Sequence, residues 1–128
     1  MATMRDICTK ALERLFVVAA DETPNASDIA SALDMANALL AQLSARDVHT
    51  GAGTQTLSDT FPLEEKHRLG FTAYLAVNLA GDFGKEANAT LQMQAAEGKQ
   101  LIAADYFAPE PLRVDSALQY MPSQRRYY

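Results

Sequence analysis

Apolar residues recur at helical spacing through the first part of the chain. Residues 4–16 place charged side chains on one surface and an apolar stripe on the other, formed by Ile7, Cys8, Ala11, Leu12 and Leu15. Thr3 fits the N-cap of this helix, with Asp6 three residues further on. A second amphipathic helix is predicted from a cap at Asn25 to about Ala45, with an inner face at Ile29, Leu33, Ala36, Leu40 and Leu43.

The stretch from Pro62 to Phe83 predicts the central helix of the domain. Proline suits the first turn of a helix, where its missing N–H is no loss. No charge occurs from Leu69 to Gly81, and the apolar side chains project on all sides, which is typical of a buried helix. Gly84 follows where a left-handed cap is expected. We therefore expect the other helices to pack around this one.

A fourth helix is predicted from near Asn88 to about Tyr106, with Leu91, Ala95, Gly98 and Ile102 on its inner face. A glycine inside a helix costs about 1 kcal/mol relative to alanine, so Gly98 is tolerable where a neighbouring helix packs closely. Prolines rule out a continuous helix beyond residue 107. The sequence thus predicts an all-α fold: a small four-helix bundle at 1–106, followed by an extended C-terminal arm at 107–128.

The connection between the second and third helices, residues 46–60, has no helical pattern. Its centre is Gly51-Ala52-Gly53, and its flanks are Val48, His49 and Thr50 on one side and Gln55, Thr56 and Leu57 on the other. This arrangement predicts either a long loop or a short β-hairpin. An isolated two-stranded ribbon is marginally stable in water. If the hairpin forms, we expect something other than this chain to stabilise it.

Charge and cysteine content narrow the functional classes. The formal net charge is −5 over 128 residues, which disfavours non-specific binding to nucleic acid. The single cysteine excludes an internal disulfide framework and fits a reducing compartment. The N-terminus lacks the apolar region of a signal peptide, and the uncharged run at 69–81 is too short to span a bilayer. We expect a soluble protein made in a cytoplasm, without membrane contact.

The candidate chemistry of the chain is sparse. Glu64 and His67 form a Glu-x-x-His pair, which is half of the motif that binds metal pairs in carboxylate bundles. The other histidine, His49, lies three residues after Arg46, so the second copy is missing. We therefore expect His67 to lie at a solvated helix end, and Cys8 to act as a small buried hydrophobe. No catalytic residue, metal site or cofactor is predicted.

The C-terminal arm carries the residue types that anchor protein interfaces, tyrosine and arginine above all. We expect it to dock onto another chain through Leu112, Val114, Leu118, Tyr120, Met121, Arg125, Arg126, Tyr127 and Tyr128. The alternative is a strand-like tail that folds back on its own bundle.

Several short sequences are familiar in combination: Asp6-Ile7-Cys8, Ala11-Leu12, the run from Ala19 to Pro24, Ala32-Leu33, Asn37, Leu39-Leu40, Phe61-Pro62-Leu63, the run from Leu79 to Gly84, and the tail rich in arginine and tyrosine. Together they resemble the head–tail connector proteins of tailed bacteriophages. The resemblance is strongest to the tail accessory factors of short-tailed phages of the P22 type, also called packaged-DNA stabilisation or head completion proteins. It covers most of the chain and includes no catalytic signature.

The resemblance implies a virion protein, assembled in the host cytoplasm, that forms a ring of about a dozen copies beneath the portal. Such a ring closes the head after packaging, extends the DNA channel and provides the attachment site for tail proteins. It further implies that residues 107–128 grip the portal and that loop 46–60 faces the channel or a neighbouring subunit. The expected partners are the portal protein, neighbouring copies and downstream tail proteins, while DNA passes through without specific binding.

Two other classes fit the residues less well. A small helical DNA-binding regulator needs a basic recognition helix, and no predicted helix concentrates arginine and lysine. A muralytic phage component acting through Glu64 or Glu65 needs an apolar pocket that raises the pKa of a carboxyl group. Both glutamates are expected to be exposed, so we expect the protein not to be an enzyme.

Overall fold

The computed structural model describes residues 2–19 and 22–107, and this part of the chain contains four α-helices. They are α1 (Met4–Arg14), α2 (Ala26–Ala45), α3 (Arg68–Leu79) and α4 (Ala89–Tyr106), and a 3₁₀ turn at Glu65–His67 leads into α3. The described part contains no β-strand, which confirms the all-α class. The predicted starts of α1, α2 and α4 are confirmed by the side-chain caps at Thr3, Asn25 and Asn88.

Helix α3 is the centre of the fold and contacts α1, α2 and α4. Phe71, Ala73, Leu75 and Ala76 on this helix are fully buried, because neighbouring helices cover more than one of its faces. The prediction of a central helix is therefore confirmed. The expectation that it is buried on all sides is wrong at Leu69, whose side chain is 64 % exposed.

Helix α3 begins at Arg68, six residues later than the predicted start at Pro62. Residues 62 and 63 form a bend instead of a helical turn, and a 3₁₀ turn at Glu65–His67 then leads into α3. Phe61 and Leu63, on the two sides of Pro62, are both buried, and the N–H of Phe61 donates to the carbonyl of Ala2. The residue before a proline avoids the helical region, which fits a helix that does not include Phe61.

The first turn of α1 has its free backbone N–H groups satisfied by the chain that precedes α3. The N–H groups of Met4 and Arg5 donate to the carbonyls of Asp59 and Leu57, at 2.8 and 3.0 Å. The Thr3 and Asp6 side chains complete the cap by a reciprocal pair of hydrogen bonds. Helix starts leave such donors without intrahelical partners, so these bonds fix the last part of loop 46–60 to the bundle.

Three helical segments end in a left-handed residue, at Phe16 (φ 61°), Asp47 (φ 64°) and Gly84 (φ 65°). After α2, the N–H of Val48 donates to the carbonyl of Leu43, five residues back, which closes a Schellman motif. The predicted cap at Gly84 is confirmed, although it ends the turn that follows α3 rather than α3 itself. These caps direct the chain sharply back onto the bundle.

Helices α3 and α4 cross at two glycines. A Cβ atom built on Gly98 would lie 2.5 Å from the Cα of Gly70, and one built on Gly70 would lie 2.6 Å from the Cα of Gly98. A side-chain rotation cannot relieve such a contact, because the atoms that the Cβ would meet belong to the backbone of the other helix. The close packing predicted at Gly98 is confirmed.

The hydrophobic core lies between the helices and includes the side chain of Cys8, as predicted. Burial raises the pKa of the Cys8 thiol to about 12. Leu33 and Val77 are only half-buried against this core. Among the described residues, no helix combines the length and the apolar character needed to cross a bilayer.

Candidate functional site

Residues 46–60, all of which the structure describes, form a loop without a hairpin. No backbone pairing joins 48–50 to 55–57; the two β-bridges here are Val48 with Phe107 and Thr60 with Thr3. The hairpin alternative is therefore not observed. The segment lacks a regular alternation of apolar and polar residues, and the backbone of its two ends bonds to α4 and α1 instead.

Helices α1 and α2 hold the loop in place. The Asn37 side chain on α2 binds the backbone of Gln55 twice, accepting from its N–H at 2.8 Å and donating to its carbonyl at 3.1 Å. The carbonyls of Leu57 and Asp59 accept from the start of α1. The expectation of outside support applied to a hairpin, which does not form; the loop is held by bonds within the chain, on either side of residues 50–54.

The six loop residues expected to face the channel or a neighbour do not share one direction. Val48 is buried and Leu57 packs against the core, so both are structural. His49 is exposed, with its ring nitrogen 3.7 Å from the Asp47 carboxylate. Thr50 accepts from the Ala52 N–H through its hydroxyl. Gln55 and Thr56 complete the six; Gln55 is half-buried and Thr56 is exposed.

The end of α4 lies directly against the beginning of this loop. The N–H of His49 donates to the carbonyl of Tyr106 at 3.0 Å, and Val48 forms its bridge with Phe107. Phe107 is 57 % exposed. The described part of the chain therefore ends, at Phe107, beside residues 48–49. Two regions singled out from the sequence, the loop and the arm, are neighbours at the point where the arm begins.

Asp105, in the last turn of α4, receives two donors on one carboxylate oxygen. Its Oδ2 lies 2.8 Å from the Lys66 Nζ and 2.6 Å from the His67 Nε2. The hydrogen bond from Lys66, followed by the one from His67, lowers the pKa of Asp105. An ionised carboxylate only accepts hydrogen bonds, so the His67 Nε2 carries the proton.

Tyr106 makes a second connection to the turn before α3. Its hydroxyl accepts from the N–H of Glu64 at 3.2 Å, and its ring centroid lies 5.6 Å from that of His67. We call the set of His49, Lys66, His67, Asp105 and Tyr106 the junction. It ties two stretches that are far from α4 in sequence, the start of the loop and the turn before α3, to the last turn of α4.

The junction overturns one expectation about chemistry. His67 is 3 % exposed and bonds to Asp105, so its predicted place at a solvated helix end is wrong. The 3₁₀ turn at Glu65–His67 directs the ring toward α4. Its partner lies 38 residues away in sequence, and no local motif marks such a pair. Among the described residues, no group of His, Cys, Asp or Glu side chains is arranged to bind a metal ion.

The predicted docking residues of the arm lie outside the described part of the chain. They are Leu112, Val114, Leu118, Tyr120, Met121, Arg125, Arg126, Tyr127 and Tyr128. The described residues place only the root of the arm, at Phe107.

A comparison with protein-family models and with curated proteins found no match for this chain.

Proposed function

We propose that this chain is a structural virion protein that forms the head–tail connector ring beneath the portal of a tailed bacteriophage. In this role the ring closes the head after DNA packaging and offers an attachment site to tail proteins. The bundle is the body of each subunit, and residues 107–128 are an arm that binds the portal. The protein is not an enzyme in this proposal; its action is non-covalent docking.

The observation that carries the proposal is the position of the arm root. Phe107 leaves the bundle at one end, beside residues 48–49 of a loop that is itself held by α1 and α2. A segment of 21 residues, if extended at about 3.3 Å per residue, reaches about 70 Å, which is farther than the width of a bundle of this size. The arm is thus long enough to leave its own subunit and bind along another chain.

The negative net charge of the subunit supports its role in a channel wall that DNA passes without binding. The net charge of −5 makes the subunit repel phosphate. The charged side chains near the junction are largely matched within the subunit: Lys66 with Asp105 and Glu64, and Arg68 with Glu65. Subunits of this kind do not hold DNA by a basic patch on these turns.

The test is the mass of assemblies formed with the portal protein of the same phage. We expect full-length protein to form a complex containing several subunits per portal, and a variant truncated after Phe107 to form none. An Arg125→Ala/Arg126→Ala variant should weaken attachment, because arginine anchors contribute strongly at interfaces. Glu110→Ala is the matched control, since it removes a charge near the root without removing an anchor.

Full-length protein that stays apart from the portal at concentrations where connectors assemble contradicts the proposal. Normal binding by the truncated variant contradicts the role of the arm. Lysis of cell walls by the purified protein would instead favour the muralytic alternative.

A further inference from the structure

We propose that the junction couples loop 46–60 to the C-terminal arm, and that His67 and Asp105 are the positioning residues that keep the junction closed. This inference deepens the proposed function, because it states how docking of the arm reaches the loop of the same subunit. It also predicts a property of the protein alone, which is measurable without any partner.

The first step is that loop and arm share one hydrogen bond. The amide of His49, at the start of the loop, donates to the carbonyl of Tyr106, and Phe107 then begins the arm. Phe107 itself donates to the carbonyl of Ala103, within α4. A displacement of the arm root that unwinds this turn therefore breaks the bond to His49 and releases the first part of the loop.

The second step is that the last turn of α4 would fray without support. The terminal carbonyls of a helix have no intrahelical partners, and helix ends open more easily than helix centres. No basic residue lies in the last turn of α4, so the support of this turn comes from the Lys66 ammonium group and the His67 ring, which both contact Asp105 from the 3₁₀ turn before α3. These side-chain contacts fix the same turn whose Tyr106 carbonyl binds the loop.

The third step is that His67 is held in place for this contact. Its side chain is 2 % exposed and packs against the Tyr106 ring, while the Tyr106 hydroxyl is bound to the Glu64 N–H. These contacts therefore fix the orientation of the imidazole ring independently of its bond to Asp105. Lys66, by contrast, is 59 % exposed at its side chain and adds a screened charge contact. His67 is thus the partner that defines the geometry.

The experiment is amide hydrogen exchange, followed residue by residue on the full-length protein. In Asp105→Ala we expect the amides of His49 and Phe107 to exchange at least about tenfold faster, with Leu75 in α3 unchanged. Asp105→Asn keeps an oxygen that accepts from the His67 Nε2, so it should restore most of the protection. Asp34→Ala removes an exposed carboxylate from α2 and is the matched control, with no change expected at His49.

A second variant guards against a general loss of stability. If Asp105→Ala also speeds exchange at Leu75, then Tyr106→Phe, which removes only the hydrogen bond to Glu64, becomes the deciding variant. Faster exchange at His49 with an unchanged Leu75 supports the coupling there. Unchanged exchange at His49 in both variants overturns it.

The coupling also has a readout in the assembly. With portal bound to the arm, protection at His49 should rise in the wild type and should rise less in Asp105→Ala. Full binding with no change at His49 contradicts the coupling while leaving the proposed function intact. Conversely, absence of portal binding contradicts the proposed function, while exchange in the free protein still decides the coupling.

Discussion

At the residue scale, the ionisation of Asp105 favours the folded state. Its carboxylate accepts from Lys66 and His67, and the pKa of the carboxyl group is lowered as a result. A group whose folded pKa lies below its unfolded value stabilises the protein above the unfolded pKa. That contribution is lost as the pH falls through the folded value.

We therefore expect the wild type to lose stability below about pH 4, the usual pKa of an aspartate, more steeply than Asp105→Asn. The variant has no carboxylate at this position to protonate, so its junction should change less in acid. Urea unfolding at a series of pH values from 7 to 3 measures the difference. Parallel curves for the two proteins would assign the acid sensitivity to other carboxylates.

Gly98 sets the distance between two helices by lacking a side chain. In Gly98→Ala the new methyl group meets the Gly70 backbone at 2.5 Å. Overpacking of this kind lowers the free energy of unfolding by about 1–3 kcal/mol. We expect a value near the upper end, because backbone atoms move less easily than a side chain. This exceeds the gain of about 1 kcal/mol that alanine brings to a helix, so we expect a net destabilisation of about 2 kcal/mol.

Thermal and chemical denaturation of Gly98→Ala measure this loss. Gly81→Ala is the matched control, because a Cβ there meets nothing within 4 Å and should leave stability equal or slightly higher. Equal stability of Gly98→Ala and the wild type would mean that α3 and α4 separate easily, and that the contact does not fix their crossing.

At the element scale, loop 46–60 depends on α2 for its position. Asn37 makes two hydrogen bonds to the backbone of Gln55. Each contributes about 1 kcal/mol to stability, because its loss leaves the N–H or the carbonyl of Gln55 without that protein partner. We expect Asn37→Ala to lower the free energy of unfolding by about 1–2 kcal/mol and to speed amide exchange at Gln55.

The control for this variant is Asn78→Ala, since Asn78 bonds within its own helix to the carbonyl of Tyr74. It should leave exchange at Gln55 unchanged. Unaltered exchange at Gln55 in Asn37→Ala would mean that the hydrogen bonds that α1 donates to the carbonyls of Leu57 and Asp59 are sufficient to hold the loop.

The helices were predictable to the extent that their signals are local. Thr3, Asn25 and Asn88 mark the starts of α1, α2 and α4 because a cap acts within three residues of itself. The predicted start of α3 at Pro62 is wrong, since proline suits both a first helical turn and a bend. The structure has a bend at residues 62–63, with Phe61 and Leu63 both buried.

The junction was not predictable from the sequence. His67 and Asp105 are 38 residues apart, and His49 is bound to the same turn through its backbone rather than its side chain. Hydropathy patterns place residues on the faces of helices, but they do not give the rotation of one helix against another. The absence of a hairpin has a similar origin, because the competing partners of 46–60 lie on α1, α2 and α4.

At the scale of the whole molecule, residues 2–107 contain a hydrophobic core and the side-chain caps of α1, α2 and α4. The last backbone hydrogen bonds along the described part of the chain join the His49 N–H to the Tyr106 carbonyl and the Phe107 N–H to the Ala103 carbonyl. A chain cut after Phe107 keeps all of them. A chain cut after Ala104 loses Asp105 and Tyr106, and with them the contacts to the turn before α3.

We therefore expect truncation after Phe107 to change the melting temperature by less than about 2 °C, which corresponds to less than about 0.5 kcal/mol in a domain of this size. Truncation after Ala104 removes the backbone bond to His49, the hydroxyl bond to Glu64 and the packing of the Tyr106 ring. At about 1 kcal/mol for each hydrogen bond, it should lower the melting temperature by at least about 8 °C. Calorimetry of the two truncations beside the full chain decides between the outcomes. A large loss already after Phe107 would mean that the arm packs on its own bundle, whereas equal melting of all three would mean that the junction adds nothing to the stability of the fold.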